Sequence, residues 1–125
     1  MKSENVCLEK SSAFAIRIVN LYNYLKSTKR EFTMSHQLLR SGTSIGANVA
    51  EAEFAISRED FINKMHISLK EASETLFWLS LLNDTGYIEE SGFKSIAKDC
   101  EEIIKILISS LKTAKDKQKK RKVNE

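Results

Sequence analysis

The chain has 125 residues, no proline, two cysteines and only four glycines, and it carries a formal net charge of +3. These counts argue against a disulfide scaffold and against a β-rich fold, which would need more cysteines or more turn residues, and they favour one domain of long helices. The sequence has no apolar run of membrane-spanning length and no secretory signal in its first ten residues, so we expect a cytoplasmic protein that does not bind membranes.

The first predicted helix covers residues 11–27. Ser11 or Ser12 can cap its N-terminus. Apolar residues then recur at spacings of three and four, which is typical of an amphipathic helix: Phe14, Ile18, Leu21, Tyr22 and Leu25. A polar connection follows, and it contains Lys29 and Arg30, the one pair of adjacent basic residues outside the C-terminal tail.

A second helix is predicted to begin near Thr33 or Ser35 and to end near Ile56. Its least generic part is the segment 38–52, in which small residues and a few polar ones alternate with aliphatic ones. At about 100° per residue, four polar residues of this segment share one side of the helix. They are Arg40, Ser44, Asn48 and Glu51.

We interpret these four residues as a structural network of mutually satisfied polar groups at a helix or subunit junction. Gly42 and Gly46 of the same helix leave a smooth patch where another backbone can come close. Glu71 and Glu74 are interpreted as partners for basic residues on neighbouring helices. The alternative is an ordinary amphipathic helix with small residues where a neighbour crowds it.

The third and fourth predicted helices complete the fold. Ser57 precedes Asp60 by three residues, which is close to a capping box, and Gly86 supplies a left-handed C-cap for the same helix. The fourth helix follows Gly92 and keeps its apolar stripe as far as Ala114. Because short connections make successive helices run in opposite directions, the sequence predicts an all-α, antiparallel, up-down-up-down four-helix bundle.

The bundle domain is predicted to cover residues 11–114, followed by a basic and disordered tail at residues 115–125. Residues 112–125 contain seven basic and two acidic residues, whereas the other 111 residues contain 13 basic and 15 acidic ones. The whole positive excess therefore lies in the tail, where it can neutralise phosphates. The candidate nucleic-acid-binding residues are Lys29, Arg30, Lys112, Lys115, Lys117, Lys119, Lys120, Arg121 and Lys122.

No catalytic residue, metal or cofactor is assigned. The Glu-x-x-His motif of metal-binding bundles is absent at His36 and at His66, and the sequence contains no local signature of a nucleophile with both a base and an orienting acid. We interpret Cys100 as a small core residue and Cys7 as a thiol outside any disulfide.

An ordered set of short motifs resembles the four helix bundle protein family, also described as 23S rRNA-intervening sequence proteins. The motifs are Leu39-Arg40-Ser41, Ser44-Ile45, Asn48, Ala50-Glu51-Ala52, Ser57 with Phe61, Glu71-Ala72, Glu74-Thr75, Trp78-Leu79 and Gly86-Tyr87. The chain departs from the family at Ala52, where many members have glycine. The resemblance implies an antiparallel bundle that assembles into a ring-like homopentamer, and it implies no enzymatic activity. It also implies a similarity to the accessory variability determinant protein of diversity-generating retroelements, which binds nucleic acid through basic surface.

These observations support two hypotheses. The first is a non-enzymatic homo-oligomer that binds RNA, or a nucleic-acid-processing partner, through the basic residues given above. The alternative is a protein-interaction scaffold without direct nucleic-acid binding. Self-association is also expected because the helices carry more apolar residues than one bundle needs, among them Ile16, Phe54, Ile67 and Phe77.

Overall fold

A computed structural model describes residues 2–124 of the chain, with side chains described from residue 6 to residue 123. Over these residues the chain forms four α-helices and no strand: α1 is Lys2–Ser27, α2 is Met34–Ala52, α3 is Arg58–Asp84 and α4 is Glu90–Asn124. Each helix packs against two others, in the cyclic order α1, α2, α3, α4. The predicted all-α four-helix bundle is confirmed.

The core lies between the four helices, where large apolar side chains are almost completely removed from solvent. Burial of each such side chain contributes about 1.5–3 kcal/mol relative to an exposed position. The main core residues are Phe14, Ile18 and Leu25 of α1, Leu38, Ile45 and Val49 of α2, Met65, Leu79 and Leu82 of α3, and Ile103 and Leu107 of α4.

Three buried hydroxyl groups lie between α2 and α3. Thr75 donates to the Glu71 carbonyl oxygen at 2.8 Å, and its hydroxyl oxygen lies 3.0 Å from that of Ser41. Ser68 donates across the helix pair to the Ile45 carbonyl oxygen at 2.9 Å. All three hydroxyls are therefore satisfied in the interior, where an unpaired one would cost about 1–3 kcal/mol.

Helix α1 begins at Lys2, well before the N-cap predicted at Ser11 or Ser12. That prediction is wrong, because Ser11 is fully buried inside the helix and donates to the Cys7 carbonyl oxygen at 2.6 Å. Ser11 is a polar residue on the buried face between Cys7 and Phe14. It interrupts the apolar pattern there, so the pattern places the start of the helix later than the structure does. The small serine side chain suits the close contact with α2.

The close approach of another backbone, predicted at the glycines of α2, is confirmed at Gly46, whereas Gly42 meets the side chain of Ile18; both neighbours belong to α1. A Cβ atom on Gly42 would lie 2.8 Å from the Ile18 side chain, and one on Gly46 would lie 3.4 Å from the Ser11 carbonyl oxygen. The first distance is too short for any real contact, so glycine is required at Gly42 unless Ile18 moves.

Helix α2 ends at Ala52, before the predicted end near Ile56. Ser57 has an extended backbone and accepts a hydrogen bond from the Asp60 N–H group at 3.0 Å, which confirms it as the N-cap of α3. An extended Ser57 requires the chain to leave α2 a few residues earlier. Phe54 and Ile56 consequently lie in the connection, where they are 83% and 94% exposed.

The N-terminus of α2 is closed by Glu31, which the sequence analysis did not single out. Its carboxylate accepts hydrogen bonds from the N–H groups of Thr33, Met34 and Ser35 at 3.2, 3.1 and 2.7 Å. Burial acts to raise the pKa of Glu31, but the hydrogen bonds from Ser35, Met34 and Thr33 together outweigh it and lower that pKa. Arg30 supports the turn with a left-handed backbone, φ 58°.

Helix α4 continues to Asn124, through residues for which the sequence predicted disorder. Lysine, arginine, glutamine and alanine are good helix formers, and once a helix is nucleated each further residue adds at little cost. Its 35 residues extend about 52 Å at about 1.5 Å per residue. Glu125 lies outside the described residues, and the division into a bundle domain and a tail stays a prediction.

Candidate nucleic-acid interface

The seven basic residues between Lys112 and Lys122 all lie on the last turns of α4 and are all exposed. At about 100° per residue they divide into two faces. One face presents Lys112, Lys115, Lys119 and Lys122. The other presents Lys117, Lys120 and Arg121. Helical order therefore arranges the charges in two rows, which a disordered tail would not do.

The first row borders α3. Lys112, Lys115 and Lys119 line a shallow cleft together with His66 and Leu69 of α3. Asp116 also lines this cleft and is the acidic residue among these bases. The row presents several point charges at the protein surface, which suits contact with a phosphate backbone rather than recognition of bases.

Lys29 and Arg30 are not brought close to the tail within one chain. They are exposed in the connection between α1 and α2, and the Arg30 guanidinium lies over the Phe32 ring at 5.3 Å from its centroid. The basic part of α4 instead lies beside the connection between α2 and α3, at the other end of α2. Helix α2 has 19 residues and separates these two connections by about 28 Å.

The four polar residues of α2 form a stripe directed toward α3. Ser44 and Asn48 hydrogen-bond to main-chain oxygens one turn earlier, at Arg40 and Ser44, with lengths of 2.6 and 2.8 Å. Glu51 accepts from the Lys64 ammonium group at 2.9 Å. Their polar contacts are made to the main chain of α2, to Gln37 of the same helix and to side chains of α3. The four side chains are exposed or half-buried.

Arg40 is the centre of the best-connected part of this stripe. Its guanidinium lies 3.4 Å from a Glu71 oxygen and also pairs with Glu74, which confirms both glutamates as partners of a base on a neighbouring helix. Glu74 further accepts from the Trp78 indole N–H group at 3.0 Å. The hydrogen bond from Trp78, followed by that from Arg40, lowers the pKa of Glu74 although burial acts against it. These residues join α2 to α3 and leave the carboxylates occupied.

Both cysteine side chains are buried. Burial raises the pKa of the Cys100 thiol to about 12, so this group is not a thiolate nucleophile at neutral pH. Its sulfur lies 3.4 Å from the Ala72 carbonyl oxygen in the core, as predicted for a small core residue. Among the residues that the structure describes, no three potential metal ligands come together, and no helix is long and apolar enough to span a membrane.

A cavity of about 300 Å³ lies between the C-terminal part of α4 and the start of α3. Its polar lining includes Arg58 and Ser110, which sequence reasoning missed, together with Lys117 and Arg121 from the predicted set. Its apolar lining includes Phe61 and several alanines. The signal that could have indicated it is the core stripe of α4, which changes from apolar residues to Lys117, Gln118 and Arg121 after Ala114.

Fold and surface together define an all-α four-helix bundle protein whose last helix carries a dense group of basic residues. The model of the 23S rRNA-intervening sequence protein family matches residues 3–109, and the chain belongs to this family.

A solved structure supports this assignment. A protein of unknown function from the S23 ribosomal protein family of Bacteroides thetaiotaomicron VPI-5482 is similar to the chain, with 57% sequence identity and a TM-score of 0.87. The match covers 88% of this chain and 98% of that one. No curated protein matches the chain.

Proposed function

We propose that this protein is a non-enzymatic, cytoplasmic, nucleic-acid-binding bundle that contacts RNA phosphates through the basic residues of α4. The main support for this proposal is that the basic residues between Lys112 and Lys122 form two exposed rows on an ordered helix. The family description, which refers to 23S rRNA, supports RNA as the nucleic acid. The family match ends at residue 109, so binding by the residues after it is inferred from their charge and helical order.

The proposal includes self-association into a ring, for which the family resemblance suggests a homopentamer. Large apolar side chains remain outside the single bundle, and Ile16, Phe54 and Phe77 are 65%, 83% and 58% exposed. Self-association would remove such surface from water. Light scattering at micromolar concentration should give a multiple of the chain mass, and a monomeric mass would refute this part.

An antiparallel, up-down-up-down course of the helices is part of the same proposal. Contacts between α2 and α3 join Ser41 to Thr75, Ile45 to Ser68 and Glu51 to Lys64, so residue numbers fall on one helix as they rise on the other. The ion pairs between α1 and α4 follow the same opposite order, because Lys10 meets Glu102 and Arg17 meets Asp99.

Salt-dependent RNA binding tests the proposed function. Each phosphate neutralised on a single strand adds about −0.7 to the slope of log K against log salt, and about −0.9 on a duplex. If all seven basic residues between Lys112 and Lys122 take part, the slope should be no steeper than about −5 to −6.

The double variant Lys115→Gln/Lys119→Gln should bind RNA more weakly and reduce the magnitude of the slope by about 1–2. A matched control is Lys98→Gln/Lys105→Gln, which removes the same charge from exposed positions of α4 away from the tail. No RNA binding at low salt, or equal losses in the two double variants, would refute the proposal.

A protein-interaction scaffold is the second candidate, favoured by the exposed Phe54 and Ile56 in the connection between α2 and α3. A pull-down from native lysate with and without nuclease separates the two functions. Partners that survive nuclease and are lost in a Phe54→Ser/Ile56→Ser variant support the scaffold. Partners that nuclease releases support binding to RNA.

A further inference from the structure

The cavity between α4 and the start of α3 contains polar groups that the bundle itself leaves unsatisfied. We propose that this cavity binds the phosphate of a nucleotide, either free or at the end of an RNA strand. The polar contacts are assigned to Arg58, Ser110, Lys117 and Arg121, and the nucleoside part is assigned to the apolar wall that includes Phe61.

Two buried polar atoms support this assignment. The Nε atom of Arg58 and the Oγ atom of Ser110 are the two buried side-chain nitrogen or oxygen atoms without a hydrogen-bond partner in the described part of the chain. Ser110 is 8% exposed. An unpaired buried polar group costs about 1–3 kcal/mol, and native proteins keep few of them. Both residues line the same cavity, so the proposed ligand is placed against both.

The charge of the lining selects an anion. Arg58, Lys117 and Arg121 all line the cavity, and no carboxylate occurs among the described residues that do so. The cavity also opens at the N-terminus of α3, where the helix dipole adds partial positive charge. Glu59 lines a neighbouring cleft that shares Arg58 and Arg121, so the anion is placed on the side of Ser110. Arginine and a hydroxyl donor are well suited to phosphate oxygens.

The remaining lining indicates that the ligand is more than inorganic phosphate. Ala52, Ala55, Phe61 and Ala114 form an apolar part of the wall, and the volume of about 300 Å³ lies at the lower end of small-molecule sites. An aromatic ring beside a cationic patch is a suitable surface for stacking a base next to its phosphate. A nucleotide presents both parts within one small molecule.

This site deepens the proposed function and rests on it in part, because Lys117 and Arg121 belong to both. The cavity is separate from the first basic row, because Lys115 and Lys119 line the shallow cleft beside His66, on the other face of α4. Variants can therefore separate the cavity from the polybasic surface.

Isothermal titration calorimetry of the full chain with adenosine 5′-monophosphate tests the site. Ser110→Ala should weaken this nucleotide about tenfold, as expected for a hydrogen bond to a charged group, and should leave the melting temperature unchanged or higher. Arg58→Gln should weaken it by about tenfold or more. Lys115→Gln/Lys119→Gln should change the affinity for the nucleotide less than about twofold, since those residues are outside the cavity.

Competing ligands identify the source of the phosphate. Adenosine without phosphate should not bind. Two short RNAs of the same sequence, one with a 5′-phosphate and one with a 5′-hydroxyl, are then compared as competitors. Displacement of the nucleotide by the 5′-phosphate RNA alone would assign the cavity to RNA ends. Displacement by neither RNA would assign it to free nucleotides.

Two results would overturn the proposal: no binding of the monophosphate at millimolar concentration, or unchanged binding in both Ser110→Ala and Arg58→Gln. Either could occur while RNA binding still depends on Lys115 and Lys119, so failure of the cavity is distinguishable from failure of the proposed function.

Discussion

Replacement of Glu31 by glutamine should destabilise the fold at neutral pH while changing the side-chain volume very little. The carboxylate accepts hydrogen bonds from three N–H groups at the N-terminus of α2, and Glu31 is only 8% exposed. Glutamine keeps one acceptor oxygen but turns an NH2 group toward N–H donors, and it removes the negative charge that favours a helix N-terminus.

The size of the effect follows from these contacts. Hydrogen bonds to a charged group contribute about 1.5–3 kcal/mol, and loss of an N-terminal cap costs about 0.5–2 kcal/mol. We expect a loss of about 2 kcal/mol, which corresponds to a decrease in melting temperature of about 8 °C for a chain of this size.

The pH dependence gives a second readout. The pKa of Glu31 in the folded state is lowered from its ordinary value of 4.5. A lowered folded-state pKa contributes stability that is present above the unfolded-state pKa and is lost as the pH falls through the folded-state pKa. The difference in free energy of unfolding between the wild type and Glu31→Gln should therefore be largest at neutral pH and should decrease in strong acid.

Urea denaturation followed by circular dichroism, at one fixed protein concentration because the chain is expected to self-associate, measures both effects. Glu101→Gln, an exposed carboxylate on α4, is the matched control and should change stability by less than about 0.5 kcal/mol. The reasoning would be refuted if Glu31→Gln behaved like this control, or if its cost were the same in acid as at neutral pH.

Two further predictions concern the contacts of α2. Gly42→Ala should lower the free energy of unfolding by about 1 kcal/mol, because overpacking against Ile18 costs about 1–3 kcal/mol and the better helix propensity of alanine returns about 1 kcal/mol. Gly46→Ala should be neutral or slightly stabilising, since its new Cβ would lie 3.4 Å from the nearest atom. A larger decrease in the free energy of unfolding for Gly46→Ala than for Gly42→Ala, measured by urea denaturation, would contradict this. Thr75→Val should cost about 1 kcal/mol by thermal denaturation, because Ser41 loses its hydroxyl partner. The double variant Ser41→Ala/Thr75→Val should lose less than the two single variants together, and strict additivity would show that the two hydroxyls do not interact.

The sequence predicted the helices well where local chemistry decides their ends. Ser57 caps α3 as expected, and Gly86 has the positive φ of 83° that a left-handed C-cap requires. Prediction was less successful where tertiary contacts decide. Ser11 is buried inside α1 because it lies against Gly46, and no local pattern distinguishes such a serine from an N-cap.

The candidate site was predictable only in its charge. The seven basic residues between Lys112 and Lys122 were evident from composition, but their division into two rows depends on α4 continuing to Asn124. Arg58 and Ser110 were not identified, because each is unremarkable in its own helix. Their significance comes from packing, which places two residues distant in sequence on one cavity.

The buried hydroxyls between α2 and α3 also determine how the two helices align along their axes. An entirely apolar seam could accept a displacement of one helical turn, about 5.4 Å, with only a modest change in packing. That displacement would separate Ser68 from the Ile45 carbonyl oxygen and Ser41 from Thr75, at a cost of about 1–3 kcal/mol for a buried hydroxyl left unpaired. The hydroxyls thus disfavour the wrong register, and a variant with aliphatic residues at all three positions should lose this preference for one alignment.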